Sequence, residues 1–451
     1  MPATRREFLA ASAAVAAAAT ATWAGSGHAA PGRAKRPLRI LILGGTGFLG
    51  PACIESALAR GHAVTLFNSG RSEERRRELG RPSVVPAGVE QLYGNRDPNK
   101  TAADRRGDGK SGAPRDPNSP KGLSQLVGKK WDAVIDTSGF FPRMVKASAE
   151  LLAPSVKQYV FISSISVYKD TSVPNYDEST ALATLADPTV EEFGEDFANY
   201  GGGKALCEQA AEAAMPGRVT NIRPGFIVGP RDTSGRFLYW PVRASLGGNM
   251  IVPGRPADPI QIIDVRDLSD WIVHCVENNI VGAYNATGPD KELSMRAMVE
   301  GVRKGIGASV GFTWIDDEFL KAQGLGEEQF PLYAPPSGKT AGFHRCNISR
   351  ALKNGLKFRP LTDTARVTLD WYKSLPPEIQ AKVAPQFSKN PPPPPPPPKD
   401  AKDAKDAKDA KAAGDAKFEP WLEKEARILA AWQAKQPAKP VKPVKPVKPV
   451  K

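Results

Sequence analysis

In the segment 199-NYGGGKALCEQAAE-212 a tyrosine and a lysine, Tyr200 and Lys204, stand four residues apart with three glycines between them. On a helix this i,i+4 spacing puts both side chains on one face. A phenol of ordinary pKa near 10 is a poor proton acceptor at neutral pH, and an ammonium one turn away stabilises its phenolate. The pair is a candidate acid–base couple, able to take a proton from a hydroxyl or give one to a carbonyl oxygen. The glycines run against helix propensity, each costing roughly 1 kcal/mol relative to alanine in a helix interior, and so predict that something bulky approaches this backbone. Upstream, 162-ISSISVYKD-170 offers Ser164, whose hydroxyl could hold a reacting oxygen and steady its charge.

The elements that must position these residues are legible along the chain. From residue 38, short apolar runs alternate with helical periodicity, the pattern of an α/β domain with a parallel sheet. The runs 38-LRILIL-43, 63-AVTLF-67, 89-VEQLY-93, 131-WDAVID-136, 158-QYVFISS-164, 219-VTNIRP-224 and 283-AYNATG-288 read as strands. Near-continuous hydrophobicity, as in LRILIL, marks strands covered on both faces. Directly after the first run comes 44-GGTGFLG-50, with Gly44, Gly47 and Gly50 at a strand-to-helix turn that Phe48 and Leu49 carry into the helix. A phosphate there would meet backbone N–H groups and the positive end of the helix. The second run ends at Phe67 and Asn68, where a ribose contact belongs. The chain thus reads as a Rossmann-type, doubly wound parallel sheet holding a dinucleotide, with a smaller C-terminal part for substrate. NAD readers commonly carry an acid at the end of the second strand, but here Asn68 is followed by Ser69, Gly70 and Arg71. A neutral side chain and a nearby guanidinium accommodate a 2′-phosphate, which favours NADP over NAD. Arg71 also opens the charged run 71-RSEERRRELGR-81 and reads equally as a solvated charge.

The glycine spacing, SSISVY and Tyr-x-x-x-Lys, in this order, resemble the short-chain dehydrogenase/reductase superfamily. From about Leu38 to Leu375 the chain resembles its extended branch, the NAD-dependent epimerase/dehydratase family. The resemblance implies that Ser164, Tyr200 and Lys204 surround a nicotinamide, with Tyr200 as general base or acid, Lys204 also bonded to the ribose, and Ser164 on the substrate oxygen. Ser164 is chosen over Ser163 and Ser166 because it stands four residues before Tyr168, as in the family's S-x-x-V-Y pattern. The resemblance also implies Asn95 and Arg96, in 94-GNRD-97, beside the adenine, and Pro224, in 223-RPGFIVGPRD-232, beside the nicotinamide; 261-QIIDVRDLSDWIV-273 is a further supporting segment. Substrate contacts would come mainly from 170–215 and 230–376; family relatives often pair through a helix bundle, so the resemblance allows a homodimer, which the sequence itself leaves open. Two departures argue against a UDP-sugar substrate. Phe226 stands where nucleotide-sugar epimerases carry an asparagine, and Ile260 where they place a diphosphate-clamping arginine. Arg231, Arg236 and Arg243 could supply another anion clamp, or be solvated or paired with acids.

The expected function is therefore an NAD(P)-dependent oxidoreductase or epimerase acting on a sugar-like or other small molecule. A dehydratase fits less well, because ISSISVY has no adjacent Asp-Glu pair to eliminate water. A noncatalytic binding protein is a third reading, since the globular sequence also resembles the branch containing the chloroplast stem-loop-binding proteins and the formal net charge is +14. Much of that charge lies in the two ends, whereas RNA binding would need a basic face on the core, so nucleic acid is not the expected partner.

Outside the domain expected over 37–376, residues 1–30 resemble a bacterial twin-arginine (Tat) signal, with 4-TRREFLA-10 followed by an Ala-rich run. That implies export to the periplasm of a chain already folded around its cofactor. The polar stretch 97–122 reads as a disordered insertion, and 377–451 as a low-complexity tail that builds no core. The tail's lysines could touch anionic polymers of the cell envelope. Four histidines and the cysteines Cys53, Cys207, Cys275 and Cys346 lack ligand spacing, so no metal site is expected.

Overall fold

The computed structural model describes residues 32–78, 82–98, 100, 121–326, 329–387 and 419–436. The expected signal segment therefore lies outside the described residues, as do most of the insertion and much of the tail. The seven apolar runs form one parallel sheet: β1 (Arg39–Leu43), β2 (Ala63–Asn68), β3 (Glu90–Tyr93), β4 (Ala133–Asp136), β5 (Gln158–Ile162), β6 (Val219–Pro224) and β11 (Gly282–Ala286). Their order is β11-β6-β5-β4-β1-β2-β3. In β1, Ile40 and Ile42 enter the core on one face while Leu41 and Leu43 enter that on the other. Strands buried on both faces need no polar alternation.

Helix α1 (Leu49–Ala59) covers the first face, α2 (Arg71–Glu78) buries none of its residues, and α3 (Pro142–Leu152) and α4 (Tyr200–Ala214) cover the second. Pro51 is tolerated in the first turn of α1, where an N–H has no intrahelical partner. After β6 the chain builds a smaller lobe around a second core. It comprises β7 (Phe226–Val228), α5 (Tyr239–Ser245), β8 (Gly248–Pro253), β9 (Pro259–Ile260) and β10 (Ile262–Asp264). Helix α6 (Val265–Glu277) then returns to the first face of the sheet and leads to β11. The lobe resumes with β12 (Leu293–Ser294), α7 (Met295–Ile306), β13 (Val310–Ile315) and α8 (Asp317–Ala322); α9 (Ser349–Lys353) then packs beside β11 on the first face of the main sheet, and α10 (Leu361–Lys373) packs on α7. Helix α7 is delimited locally: the Ser294 hydroxyl accepts from the Ala297 N–H, and Gly307 ends it in a left-handed conformation with φ +65°.

Two expected boundaries need correction. The globular part does not end near residue 376: α11 (Pro377–Val383) packs on the lobe, and α12 (Trp421–Lys435) inserts Trp421, Ile428 and Leu429 into the second core. The amphipathic stripe of 421–435 finds an apolar groove because Phe387, before the tail, and Trp421, after it, both pack on Tyr239. Glu425 on α12 is paired with Arg243 on α5 at 2.5 Å, with both side chains almost fully buried, and also accepts from the Ile251 N–H. The insertion, expected from Asp97, begins later, since Asp97 is buried and ion-paired with Arg143 at 2.9 Å. Backbone bonds from Gly122 N–H to the Lys100 carbonyl and from Asn95 N–H to the Gly122 carbonyl draw the two ends of the insertion together.

Arg243→Ala should leave the Glu425 carboxylate buried and unpaired, costing about 3–5 kcal/mol. An Arg243→Met, Glu425→Leu double variant should recover most of the loss; urea denaturation of the three proteins measures both effects.

Candidate active site

The strand order reverses between β1 and β4, and the crevice at their C-terminal ends is where open α/β sheets bind ligands. A cavity of about 250 Å³ opens there, walled by the GGTGFLG loop, the ends of β2 and β4, and the Gly94–Asp97 turn. The glycines do different work. Gly44 has φ +87°, and a Cβ there would lie 2.5 Å from the Ser138 Cβ. A Cβ on Gly50 would strike the Gly45 backbone at 2.4 Å, so its absence lets α1 start tight against the loop. Gly47 faces open space within the cavity wall. Phe48 precedes the first turn of α1, and buried Leu49 begins it.

Two buried polar atoms on residues of the cavity wall have no protein partner: Asn68 Nδ2 and Ser138 Oγ. Unsatisfied buried polar groups are costly, and here they belong to residues facing a space bordered by a helix N-terminus. These residues fit a dinucleotide: α1 and Gly47 suit a phosphate, and Asn68 Nδ2 a ribose oxygen. Asn68 Oδ1 is spent on the Gly70 N–H, and Arg71 Nε on Ser69 Oγ. Asn95 lines the cavity while its side-chain oxygen accepts from the Asp97 N–H. Arg96 also lines it, but its guanidinium grips Asp136 at 2.8 and 2.7 Å and donates to Ser148. Despite its burial, Asp136 is held below the usual carboxylate range by Arg96 and by hydrogen bonds from Tyr159 and Ser138. Sequence reading missed Ser138, which lies two residues beyond the fourth apolar run; the turn chemistry of 136-DTSG-139 was the signal available.

The catalytic candidates converge at the C-terminal end of β5. Ser164 follows the strand, and its Oγ accepts from the Ser166 N–H at 3.0 Å. Tyr200 opens α4, and burial raises its hydroxyl above the ordinary value despite the neighbouring Ser164 hydroxyl and the charge of Arg236. Lys204, one turn on, is 3% exposed and donates to the carbonyls of Gly139 at 2.8 Å and Ile162 at 2.6 Å. Burial lowers its pKa to about 8, against the opposing pull of Cys207, Asp136 and Glu208. The ammonium also lies 4.2 Å from the Phe161 ring centroid. Pro224 ends β6 and pairs with Ala286 of β11. Nearby, Ser163 Oγ and Thr287 Oγ1 are buried without partners.

The close approach that the glycine triplet predicts is made at two of its three positions. A Cβ on Gly201 would lie 2.1 Å from the Ser166 carbonyl oxygen, and one on Gly202 would lie 2.6 Å from Leu185 Cδ2, whereas Gly203 meets nothing within 4 Å. The bulky neighbour is the protein itself: the turn carrying Ser164 packs against the first turn of α4, which brings Ser164 to Tyr200. An aromatic group surrounds Tyr200, with Phe193 at 5.8 Å and Phe197 at 6.5 Å between centroids. Asp196 and Phe197 have φ of +48° and +60°, rare for residues with side chains. Of the three candidate arginines, Arg231 pairs with Glu55 at 2.7 Å and Arg243 with Glu425, while Arg236 lies over the Phe226 ring at 5.3 Å. Ile260 is fully buried in β9. All four cysteines are buried thiols, and among the described residues no acidic, His or Cys cluster could hold a metal. No helix among the described residues is long and apolar enough to cross a membrane.

The fold is the Rossmann-type parallel sheet with helices on both faces. A solved structure that shares it is the Bordetella bronchiseptica enzyme WbmG in complex with NAD, which is 18% identical, superposes over 75% of this chain and 95% of its own, and has a TM-score of 0.50. By sequence, the bovine epimerase family protein SDR39U1 is 23% identical over 261 residues, covering 56% of this chain and 75% of that protein. The Arabidopsis thaliana chloroplast stem-loop binding protein of 41 kDa b is 26% identical over 240 residues, covering 53% of this chain and 55% of that protein. No family model matches the chain.

Gly201→Ala should destabilise the protein and separate Ser164 from Tyr200, because neither clashing backbone can yield cheaply. Gly203→Ala should instead raise stability by about 0.5–1 kcal/mol, the helix-interior gain of alanine over glycine. Thermal denaturation of both variants checks the contrast.

Proposed function

We propose that the chain is an NAD(P)-dependent oxidoreductase of the extended short-chain dehydrogenase/reductase type, moving a hydride at a hydroxyl or carbonyl carbon of a small, sugar-like substrate, in an epimerase-like cycle. The observation that carries this reading is the convergence of the Ser164 turn with the start of α4, where the Ser166 carbonyl lies against Gly201 and the buried Lys204 donates to the Ile162 carbonyl, which gathers Ser164, Tyr200 and Lys204 near the C-terminal ends of the strands that border the glycine cleft. Similarity to an epimerase family protein and the fold shared with an NAD-containing enzyme support the class.

The dinucleotide supplies the hydride acceptor and donor. The residues that would hold it are Gly44, Gly47 and the start of α1 for the phosphates, and Asn68 with Arg71 for the adenosine ribose, where the neutral amide and guanidinium favour NADP. Tyr200 Oη takes the proton of the substrate hydroxyl as hydride leaves the carbon, and returns it in the reverse direction. Ser164 Oγ donates to the substrate oxygen and fixes its position. Of the three N–H bonds of Lys204, two are spent on Gly139 and Ile162; the third is free to reach a ribose hydroxyl. The ammonium keeps positive charge on the Tyr200 face of α4 and favours the phenolate.

An epimerase-like cycle suits the Tat-type segment. Such a cycle returns the hydride to the same substrate, so an exported enzyme would need no external recycling of its cofactor. The proposed setting is the periplasm, with contact between the tail lysines and the envelope and pairing into homodimers as further parts of the proposal. A noncatalytic nucleotide-binding role is the alternative, and the intact Ser164, Tyr200 and Lys204 set weighs against it.

Protein purified from the periplasm of a Tat-competent host should release stoichiometric NADP or NAD on denaturation, identified by mass spectrometry, and Gly47→Asp should release none. Failure of the wild-type protein to carry or bind either nucleotide would overturn the reading. Tyr200→Phe should keep the nucleotide but lose roughly 10²–10⁴-fold in turnover. Since Lys204 is charged below its pKa, activity should fall as pH rises through about 8, and Lys204→Met should abolish that limb of the profile.

A further inference from the structure

The segment after β7 carries three arginines whose surroundings differ, Arg231 and Arg236 on the loop and Arg243 on α5. Arg231 is bonded to Glu55 on α1, and Arg243 is buried against Glu425 and also donates to the carbonyls of Gly247 and Asn249. Arg236 has no carboxylate partner among the described residues: its Nε donates to Ser234 Oγ at 3.0 Å, and its guanidinium carbon lies 5.3 Å from the Phe226 ring centroid. This placement is built in three steps. Asp232 accepts from both the N–H and the hydroxyl of Ser234, at 2.9 and 2.6 Å. Ser234 then holds Arg236 Nε. Gly235 turns the chain with φ +72°, and a Cβ there would lie 2.5 Å from the Val383 carbonyl oxygen, so α11 closes the turn from behind. A long, solvated arginine side chain is ordinarily free to sample many rotamers; this one is fixed at Nε and on one face, with its two terminal nitrogens left to donate.

The position is next to the chemistry. Phe226 begins the segment that follows β6 and Pro224, and the Arg236 charge reaches the Tyr200 hydroxyl. Phe226 also packs on Phe343 at 5.5 Å and on His344 at 5.9 Å, so the platform under the guanidinium is rigid.

We propose that Arg236, over the Phe226 ring and held at Nε by Ser234, is the anchor for an anionic group of the substrate, a carboxylate or phosphate close to the carbon that exchanges hydride. The proposal rests on the reading of Ser164, Tyr200 and Lys204 as the catalytic set, and it narrows the substrate class to small acids or phosphate esters. The anion is held beside the reacting carbon, in place of a remote diphosphate clamp at the position of Ile260. A planar guanidinium with two free nitrogens matches either anion in a bidentate fashion.

The test is calorimetric titration of malonate and of inorganic phosphate into the full-length protein saturated with NADPH or NADH, at ionic strength held constant with chloride. At least one anion should occupy a single saturable site, weakened about tenfold or more by Arg236→Met, retained in part by Arg236→Lys and unchanged by Arg231→Met. Preference for malonate would identify a carboxylate, and preference for phosphate an ester. The absence of a saturable site in the wild-type protein, or a site that survives Arg236→Met, would overturn the proposal. Fluorescence titration with NADPH and NADH separates this from the catalytic reading. Arg236→Met should bind nucleotide like the wild type, and a wild-type protein that binds neither would defeat the cofactor reading whatever the anion titration gives.

Discussion

The buried ammonium of Lys204 is the constraint around which the site is assembled. Taking a charge out of water costs several kcal/mol unless it is compensated, and here the compensation comes from two carbonyls on different elements. Gly139 lies after β4 and Ile162 ends β5, so satisfying one side chain on α4 fixes the ends of two neighbouring strands and the first turn of a helix. The Phe161 ring excludes water on one side. Ser164 lies two residues beyond Ile162 and Tyr200 four before Lys204, so the lysine sets the distance between the serine and tyrosine hydroxyls without touching either.

Gly201 is the second half of the same arrangement. Fixing Lys204 would be useless if the helix stood off from β5 by a methyl group, and the Ser166 carbonyl occupies the place a Cβ at 201 would take. The cost of glycine in the helix is exchanged for the approach of the Ser164 turn. This could not be read from the sequence, because the clashing atom belongs to a backbone more than thirty residues away whose position depends on the fold. The triplet signalled a close approach; only the structure shows that Gly201 and Gly202 answer to the protein and that Gly203 answers to nothing.

The same contrast runs through the rest of the chain. The seven strands of the main sheet were legible because burial on both faces produces continuous apolar runs such as LRILIL, a local signal. The paired strands of the smaller lobe were not, since β9 and β12 are two residues long and exist only as partners. Helix α12 was recognisable as amphipathic but not as core, because its apolar stripe matches a groove formed by Tyr239, Phe330 and Phe387, residues far earlier in the chain. In 94-GNRD-97 the sequence pointed to a loop, which the structure places on the cavity wall, whereas the charge complement of Arg96 and of Asp97 lies elsewhere, in Asp136 and Arg143. Pairing across that distance leaves no sequence pattern.

The chemistry of the substrate side follows from how the remaining polar and apolar groups are distributed. A site built to read a neutral polar molecule would present amides and hydroxyls, as the cleft beside the GGTGFLG loop does with Asn68 and Ser138. Around Tyr200 the surroundings are mostly rings, and Phe197 keeps 67% of its surface exposed on a backbone with φ +60°. Strain of that kind costs of order 1–3 kcal/mol and persists where the surrounding structure over-determines it; Phe193, stacked on Phe197 at 5.7 Å, supplies that determination. An aromatic wall lowers the local dielectric and so strengthens every charge inside it. Under those conditions one guanidinium acts more strongly on the Tyr200 hydroxyl, and on any anion beside it, than it would in open solvent.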